Sequence, residues 1–544
     1  MASRASLLTL PLLVSTIALG CESKQGAQTE PAPAPELAPD ADAATAAAAP
    51  AGAAEDIKAA TGATGSDVPT EAGALPPTGM AAAPTSNGLT TGPASSAVVD
   101  KARTIQGHLA CMRGKPFKKD PEVAFQSLED FRKYVDKQLV KELGGEKGAR
   151  LVRTLHALDI VDPSVDVMKQ LVDAAVGQAA AYYDPETNAF YVVQNMPDLM
   201  LNMVMAHELQ HALQDQHTSL LDDYLDDGFG STDKDLATRF IVEGEATLIG
   251  NSWMAHNIER KLNTGNDICY LPDQRKGDPG SFWPTMSSAM SQAAAQTRDD
   301  IVNPGMLERV AMSGMSEGMA DSMKQLKELP VYFFYTLLLP YNQGGQTVYT
   351  HFTANGFDWQ SIDELFANPP DTTEQVLHPS KLQGEREGFR ELKLAEVPPL
   401  AEAAREGWQV DPSDRMGELS VRIWLIEEGI DERTASQAAA GWDGDQIAVW
   451  HKGEDLLAFD WKLAWDRSED RQEFMNELPA AIAKQRGIQD TSILATLAQA
   501  KPGDEGMVGF NWTDTQGRTR HGRISWTADL IHWTDGWDQP VEGP

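Results

Sequence analysis

Cysteine is nearly missing from this chain of 544 residues, which holds three: Cys21, Cys111 and Cys269. So few exclude a disulfide-dense scaffold and a cysteine-ligated zinc ribbon. Positive charge is scarce as well, with 45 Lys and Arg against 80 Asp and Glu and a net charge of −35. Phosphate binding needs a basic footprint, so no nucleic acid is expected as a partner. A lasting electrostatic hold on anionic lipid fails for the same reason. Aromatic residues are absent from 22–99, and the apolar run Leu7–Leu19 is too short to cross a bilayer.

That short run nevertheless has the anatomy of a secretory signal peptide. One charge, Arg4, precedes it, and it ends Ala18-Leu19-Gly20-Cys21. A small residue before the cysteine resembles a bacterial lipobox, which implies cleavage after residue 20 and lipidation of Cys21. Glu22 stands where an inner-membrane retention signal has Asp, so an outer-membrane destination is favoured for the anchored protein. Ordinary cleavage would make it secreted. Residues 21–100 are dominated by Ala, Pro, Gly, Thr and Ser, a composition that cannot offset the entropy of folding and reads as a disordered tether.

Ordered sequence is expected from Lys101. Amphipathic helical patterns cover 121–143 and 162–181, and a β-hairpin is predicted from AAYY and AFYVVQ around the turn Asp184–Asn188. Helices follow over 196–217 and 235–258, and helical stretches continue to Leu339, where Asn342-Gln343-Gly344-Gly345 is read as a break. Beyond residue 397 short strand-like runs flank one helix, the pattern of a small α+β domain over 398–544. Ten of the 13 tryptophans lie there, and a Trp-rich core is the expected reason rather than sugar stacking. Cys111 and Cys269 are either one bridge or two buried thiols.

The chemistry concentrates in His207-Glu208-Leu209-Gln210-His211. Residues four apart share one helix face, so both imidazoles can reach one tetrahedral Zn²⁺, with Glu208 beside it as general base. The flanks Val204, Met205, Ala206, Ala212 and Leu213 are uncharged, which suits a helix buried beneath a cleft. A third ligand is required, and two candidates compete. His217 has the metzincin spacing, but it can join only if the helix breaks at Gln214, where that pattern normally has Gly. Glu243, in Val242-Glu243-Gly244-Glu245-Ala246, lies on the next predicted helix; this EGxA resembles the second-helix motif of gluzincin aminopeptidases and is the favoured choice. Glu245 is read as a residue behind the ligands or on the surface. Asp215 is either on the metal face or capping a loop.

HELQHALQDQH, VEGEAT, PPDTTEQVLHPSKL and AAAGWDGDQIAVW together resemble a family of uncharacterised bacterial HExxH proteins held to be zinc metallopeptidases. The resemblance runs from about Tyr182 to the helix around Phe474 and implies a zincin-like, mostly helical catalytic domain, one Zn²⁺ and a peptide or protein substrate; the bounds expected for that domain are 101–397. The resemblance does not imply which substrate. Tyr332, Tyr335 and His378 are the candidates by location for stabilising an oxyanion. The strand around 190–194 is the candidate edge for pairing with a substrate backbone. The competing class is a non-catalytic lipoprotein in which zinc only staples helices and the C-terminal domain binds a partner.

Overall fold

The computed structural model describes residues 89–541 except 179, 194–197, 219–229, 263–287, 289, 293, 302–324 and 454–455. The signal-like segment, Cys21, most of the tether and Cys269 therefore lie outside the described residues. Regular structure begins earlier than Lys101, with strand β1 (Gly92–Pro93) and helix α1 (Ser96–Arg113). The reason is apolar: Val98 and Val99 pack against a core holding Ile105, Leu109, Met205 and Leu209.

β2 (Glu122–Phe125) pairs in parallel with β4 (Ala189–Val192), and β4 pairs antiparallel with β3 (Ala181–Asp184), giving a sheet ordered β1-β2-β4-β3. The predicted hairpin is present, and its turn closes through Asn188 at φ 49°, a conformation that asparagine tolerates better than most residues. Because β2 covers the other side of β4, the strand expected to offer a free edge is interior. The terminal strands of the sheet are β1 and β3. Helices α2 (Leu128–Leu143), α3 (Glu146–Ala157) and α4 (Val167–Gln178) fill the stretch between β2 and β3.

Three helices then build the centre of the molecule: α5 (Asp198–His217), α6 (Thr232–Leu262) and α7 (Val331–Ala354). The break expected at 342–345 does not occur, since α7 runs through Pro340, Gly344 and Gly345 without interruption. The glycines serve a crossing. A Cβ on Gly344 would overlap the Phe240 carbonyl of α6, and one on Gly244 would overlap the Gly344 backbone, so only this pair lets the two helices touch.

Helices α8 (Trp359–Ala367) and α9 (Thr373–Leu377) lead into the C-terminal region. There a six-stranded antiparallel sheet runs in the order β5 (Gln409–Val410), β6 (Trp442–Lys452), β7 (Leu456–Trp465), β10 (Leu530–Trp537), β9 (Thr519–Trp526), β8 (Gly506–Thr513). It is accompanied by α10 (Gly417–Glu427), α11 (Glu432–Ala439) and α12 (Ser468–Arg486). The fold is mixed α+β with a C-terminal sheet. Trp424, Trp442, Trp461, Trp465 and Trp533 are fully buried, so the tryptophans are core, as expected. Residues on both sides of the expected boundary at 397 share that core: Phe131, Tyr332, Trp424 and Trp461 belong to one cluster.

Candidate metal centre

Helix α5 is apolar around its histidines, with Val204, Met205, Ala206, Leu209, Ala212 and Leu213 all buried. It lies against α6, and the shared interior receives His207 and His211 from one helix and Glu243 from the other. His207 Nε2 is 3.2 Å and His211 Nε2 3.4 Å from Glu243 Oε2, and the two imidazole nitrogens are 3.1 Å apart. His211, Glu243 and Glu208 are 0% exposed and His207 is 9% exposed. Three ligand atoms thus converge within the span of one ion, and among the described residues this group could hold a metal ion.

The hydrogen bonding behind His211 settles what its inner nitrogen presents. Gln214 donates from Nε2 to the Val242 carbonyl at 3.0 Å and to Glu245 Oε2 at 2.8 Å, both acceptors only. Its Oε1 therefore faces His211 Nδ1, 2.8 Å away, and Nδ1 must carry the hydrogen. A neutral ring in that tautomer turns a bare lone pair at Nε2 toward the Glu243 carboxylate. Lone pairs facing one another in a buried space are repulsive unless a cation lies among them, so the donor set fits a divalent ion. Without one, charge is shared: burial opposes the imidazolium, yet the Glu243 carboxylate holds His211 up at about 9. Burial likewise opposes the charged form of Glu243, but His211 and His207 hold it down at about 2. Burial lowers His207.

Glu208 points to the same place from the face beside the histidines, its Oε1 3.9 Å from His207 Nε2. Its Oε2 accepts the backbone N–H of Tyr183 in β3 at 2.9 Å, whereas Oε1 is buried without a hydrogen-bond partner. Burial pushes this carboxyl up to about 8. Asp215 supports the arrangement from behind. It accepts the Tyr183 hydroxyl at 2.8 Å, tying β3 to α5. The Tyr341 ring stacks on His207 with centroids 5.6 Å apart and planes 25° apart.

His217 is left out. Because α5 continues through Gln214, His217 is carried round the helix and donates from Nε2 to the Pro116 carbonyl at 2.7 Å. The three oxyanion candidates are elsewhere too. Tyr332 is buried against Ser420, Tyr335 lies beside Glu432, and His378 donates to Glu418 at 2.9 Å. The aromatic residue that does reach the histidines is Tyr341, which sequence reasoning missed. Its only signal was its place one turn before Gly345 on the helix that crosses α6. Glu245 is 1% exposed and stands behind the ligands, not on the surface. A second acidic group, Glu374, Glu387 and Asp466, surrounds the Lys381 ammonium at 2.5 to 2.9 Å, so its cation is a side chain. The spacing Gly314-Met315-Ser316-Glu317-Gly318 matches a serine-hydrolase elbow and lies outside the described residues.

Residues 404–516 match the model of a family described as a domain of unknown function (DUF8575). The match covers β5 to the end of β8 and contains none of the metal-centre residues. No curated protein and no solved structure matches the chain.

Proposed function

We propose that this chain is a zinc-dependent peptidase of gluzincin type, with His207, His211 and Glu243 holding one Zn²⁺ and Glu208 acting as general base. The observation that carries the reading is the convergence of two imidazole lone pairs and a carboxylate beside a second carboxylate with one free oxygen. Zinc in such a site supplies Lewis acidity, which acidifies water and polarises a carbonyl. The protein's part is proton handling. Tyr183 N–H fixes Oε2 of Glu208, so Oε1 is the oxygen that takes a proton as water attacks the peptide carbonyl. Glu208 then delivers that proton to the amine nitrogen as the C–N bond breaks. A peptide or protein is the substrate, and residues 101–397 supply a zincin-like catalytic region. Export through residues 1–20 and a lipid anchor on Cys21, toward the outer membrane, complete the proposal.

The complete burial of His211, Glu208 and Glu243 favours a second reading, in which zinc staples α5 to α6 and the chain is a non-catalytic, lipid-anchored binding module. A structural zinc has no use for a base, which makes Glu208 the discriminating residue. The test is to measure zinc by plasma emission and map cuts in a diverse peptide mixture by mass spectrometry. Zinc with cleavage that needs Glu208 supports the peptidase, and stoichiometric zinc without cleavage supports the staple. Absence of zinc would sink both.

A further inference from the structure

Behind His211 runs a buried polar chain that ends on the first helix. Gln214, 3% exposed, passes from His211 to Glu245 Oε2, and Glu245 Oε1 accepts from Arg113 Nε at 2.6 Å. Arg113 is itself 5% exposed. Its Nη2 donates to Asp363 Oδ1 at 2.7 Å, and its guanidinium lies 4.5 Å from the centre of the Trp359 ring. Every link has a defined direction. Arg113 can only donate, so it keeps the Glu245 carboxylate an acceptor. Glu245 and the Val242 carbonyl then compel the Gln214 amide to turn its nitrogen toward them. The amide oxygen is left for His211 Nδ1–H.

Removing the guanidinium takes away the donor that holds Glu245 Oε1, so the carboxylate is free to turn away from the Gln214 amide. An amide at 245, as in Glu245→Gln, can donate as well as accept, and with either change the orientation of Gln214 loses one of its two determinants. A flipped Gln214 would place NH₂ against Nδ1. The ring would then have to carry its hydrogen on Nε2, the atom that faces Glu243.

We propose that Arg113 is a positioning residue for the metal centre: through Glu245 and Gln214 it fixes the Nδ1–H tautomer of His211 and so keeps Nε2 available as a ligand. The inference rests on the metal reading above and deepens it, by making α1 and the α8 pair Trp359 and Asp363 part of the site. Gln214 is the partner one bond behind the ligand, a position worth about ten- to a hundredfold in metal affinity, and Glu245 and Arg113 act by orienting it.

The experiment uses the full chain with Zn²⁺ alone as the probe. Affinity is measured by chelator competition, and the Nδ1–H proton and ring nitrogens of His211 are followed by ¹⁵N-resolved NMR with and without zinc. Glu245→Gln and Arg113→Leu are expected to weaken zinc about ten- to a hundredfold and to broaden or shift the Nδ1–H resonance. Arg113→Lys, which keeps the charge but not the fork, should fall between them and the parent. Leu109→Ala, a core truncation on the same helix, should lower the melting temperature without changing zinc affinity or the resonance. Zinc binding within twofold of the parent in both Glu245→Gln and Arg113→Leu, or an unchanged His211 tautomer, overturns the relay. If Arg113→Leu fails to fold, Glu245→Gln and Arg113→Lys decide. A parent that binds no zinc overturns the metal reading instead, and the resonance in the metal-free protein still reports on the relay.

Discussion

Glu208 and Glu243 are equally buried carboxylates with different surroundings, and the roles proposed for them follow that difference. Glu243 faces two imidazoles, whereas Glu208 keeps one oxygen on a backbone N–H and one free. Glu243→Ala should therefore lose zinc and cleavage together, because a ligand is gone. Glu208→Gln preserves volume and removes only the base, so zinc should stay while turnover falls by orders of magnitude. His217→Ala should change neither, since among the described residues its imidazole bonds the Pro116 carbonyl and not the proposed ligands. Metal analysis and cleavage assays on the three variants check this directly, and zinc lost from His217→Ala alone would reverse the ligand assignment. His378 offers a pH test apart from the site. Its hydrogen bond to the Glu418 carboxylate raises the imidazole above its ordinary value. A raised folded-state pKa stabilises fully below the unfolded value of about 6.5 and is lost as pH climbs through the folded value. Urea unfolding should show the largest stability gap between parent and His378→Asn near pH 6, closing at alkaline pH. A gap that widens with pH contradicts the pairing.

Among the elements, the crossing of α6 and α7 places the proposed ligand Glu243, which directly precedes the glycine at which the helices touch. Gly344→Ala must push a methyl into the Phe240 carbonyl, and overpacking of this kind typically costs about 1–3 kcal/mol. A lower denaturation midpoint together with weaker zinc binding is the expected outcome. A methyl accommodated with no loss of either would mean that the helices can separate without disturbing Glu243. The hairpin adds a second constraint on the site. Tyr183 gives its N–H to Glu208 and its hydroxyl to Asp215, so β3 both orients the Glu208 carboxylate and is bolted to the helix carrying it.

Across the whole molecule, the C-terminal region supports the start of the helix that carries Glu243. Asp414 accepts from the Thr232 backbone and hydroxyl, and Asp233, 0% exposed, is bound by Thr373 and Arg415. Arg153 in α3 reaches Asp411 through two bonds of 2.7 Å. A chain ending at residue 396 would leave the Asp233 carboxylate buried without its guanidinium and open the core around Tyr332. It is expected to lack a cooperative unfolding transition, whereas a chain beginning at residue 89 should fold and bind zinc as the parent does. A cooperative, zinc-binding truncation at 396 would show the two regions to be independent. At the other end, Cys21→Ala should release the protein from membranes in cell fractionation. Unchanged attachment with no acyl group on Cys21 would rule out the anchor.

Local pattern alone determined the helices bearing His207, His211 and Glu243, the hairpin before them and the α+β character of the tail. Each of those depends on periodicity and turn chemistry within a few residues, such as the uncharged flanks of HELQH and the Asp184–Asn188 turn. The aromatic character of the tail also predicted its core, because so many tryptophans can be covered only by one another and by the sheet. Contacts over long sequence distances were not legible. Gly344-Gly345 carries the composition of a break, and only α6 packed against it turns the same residues into a crossing. Val98 and Val99 look like tether until the interior of α5 gives them something to cover. Tyr341 was passed over for Tyr332, Tyr335 and His378 because sequence position does not say which side of α7 meets the histidines. Arg113 has no local signal at all. Its buried charge makes sense only beside Glu245 and Asp363, which tertiary packing brings to it from 132 and 250 residues away.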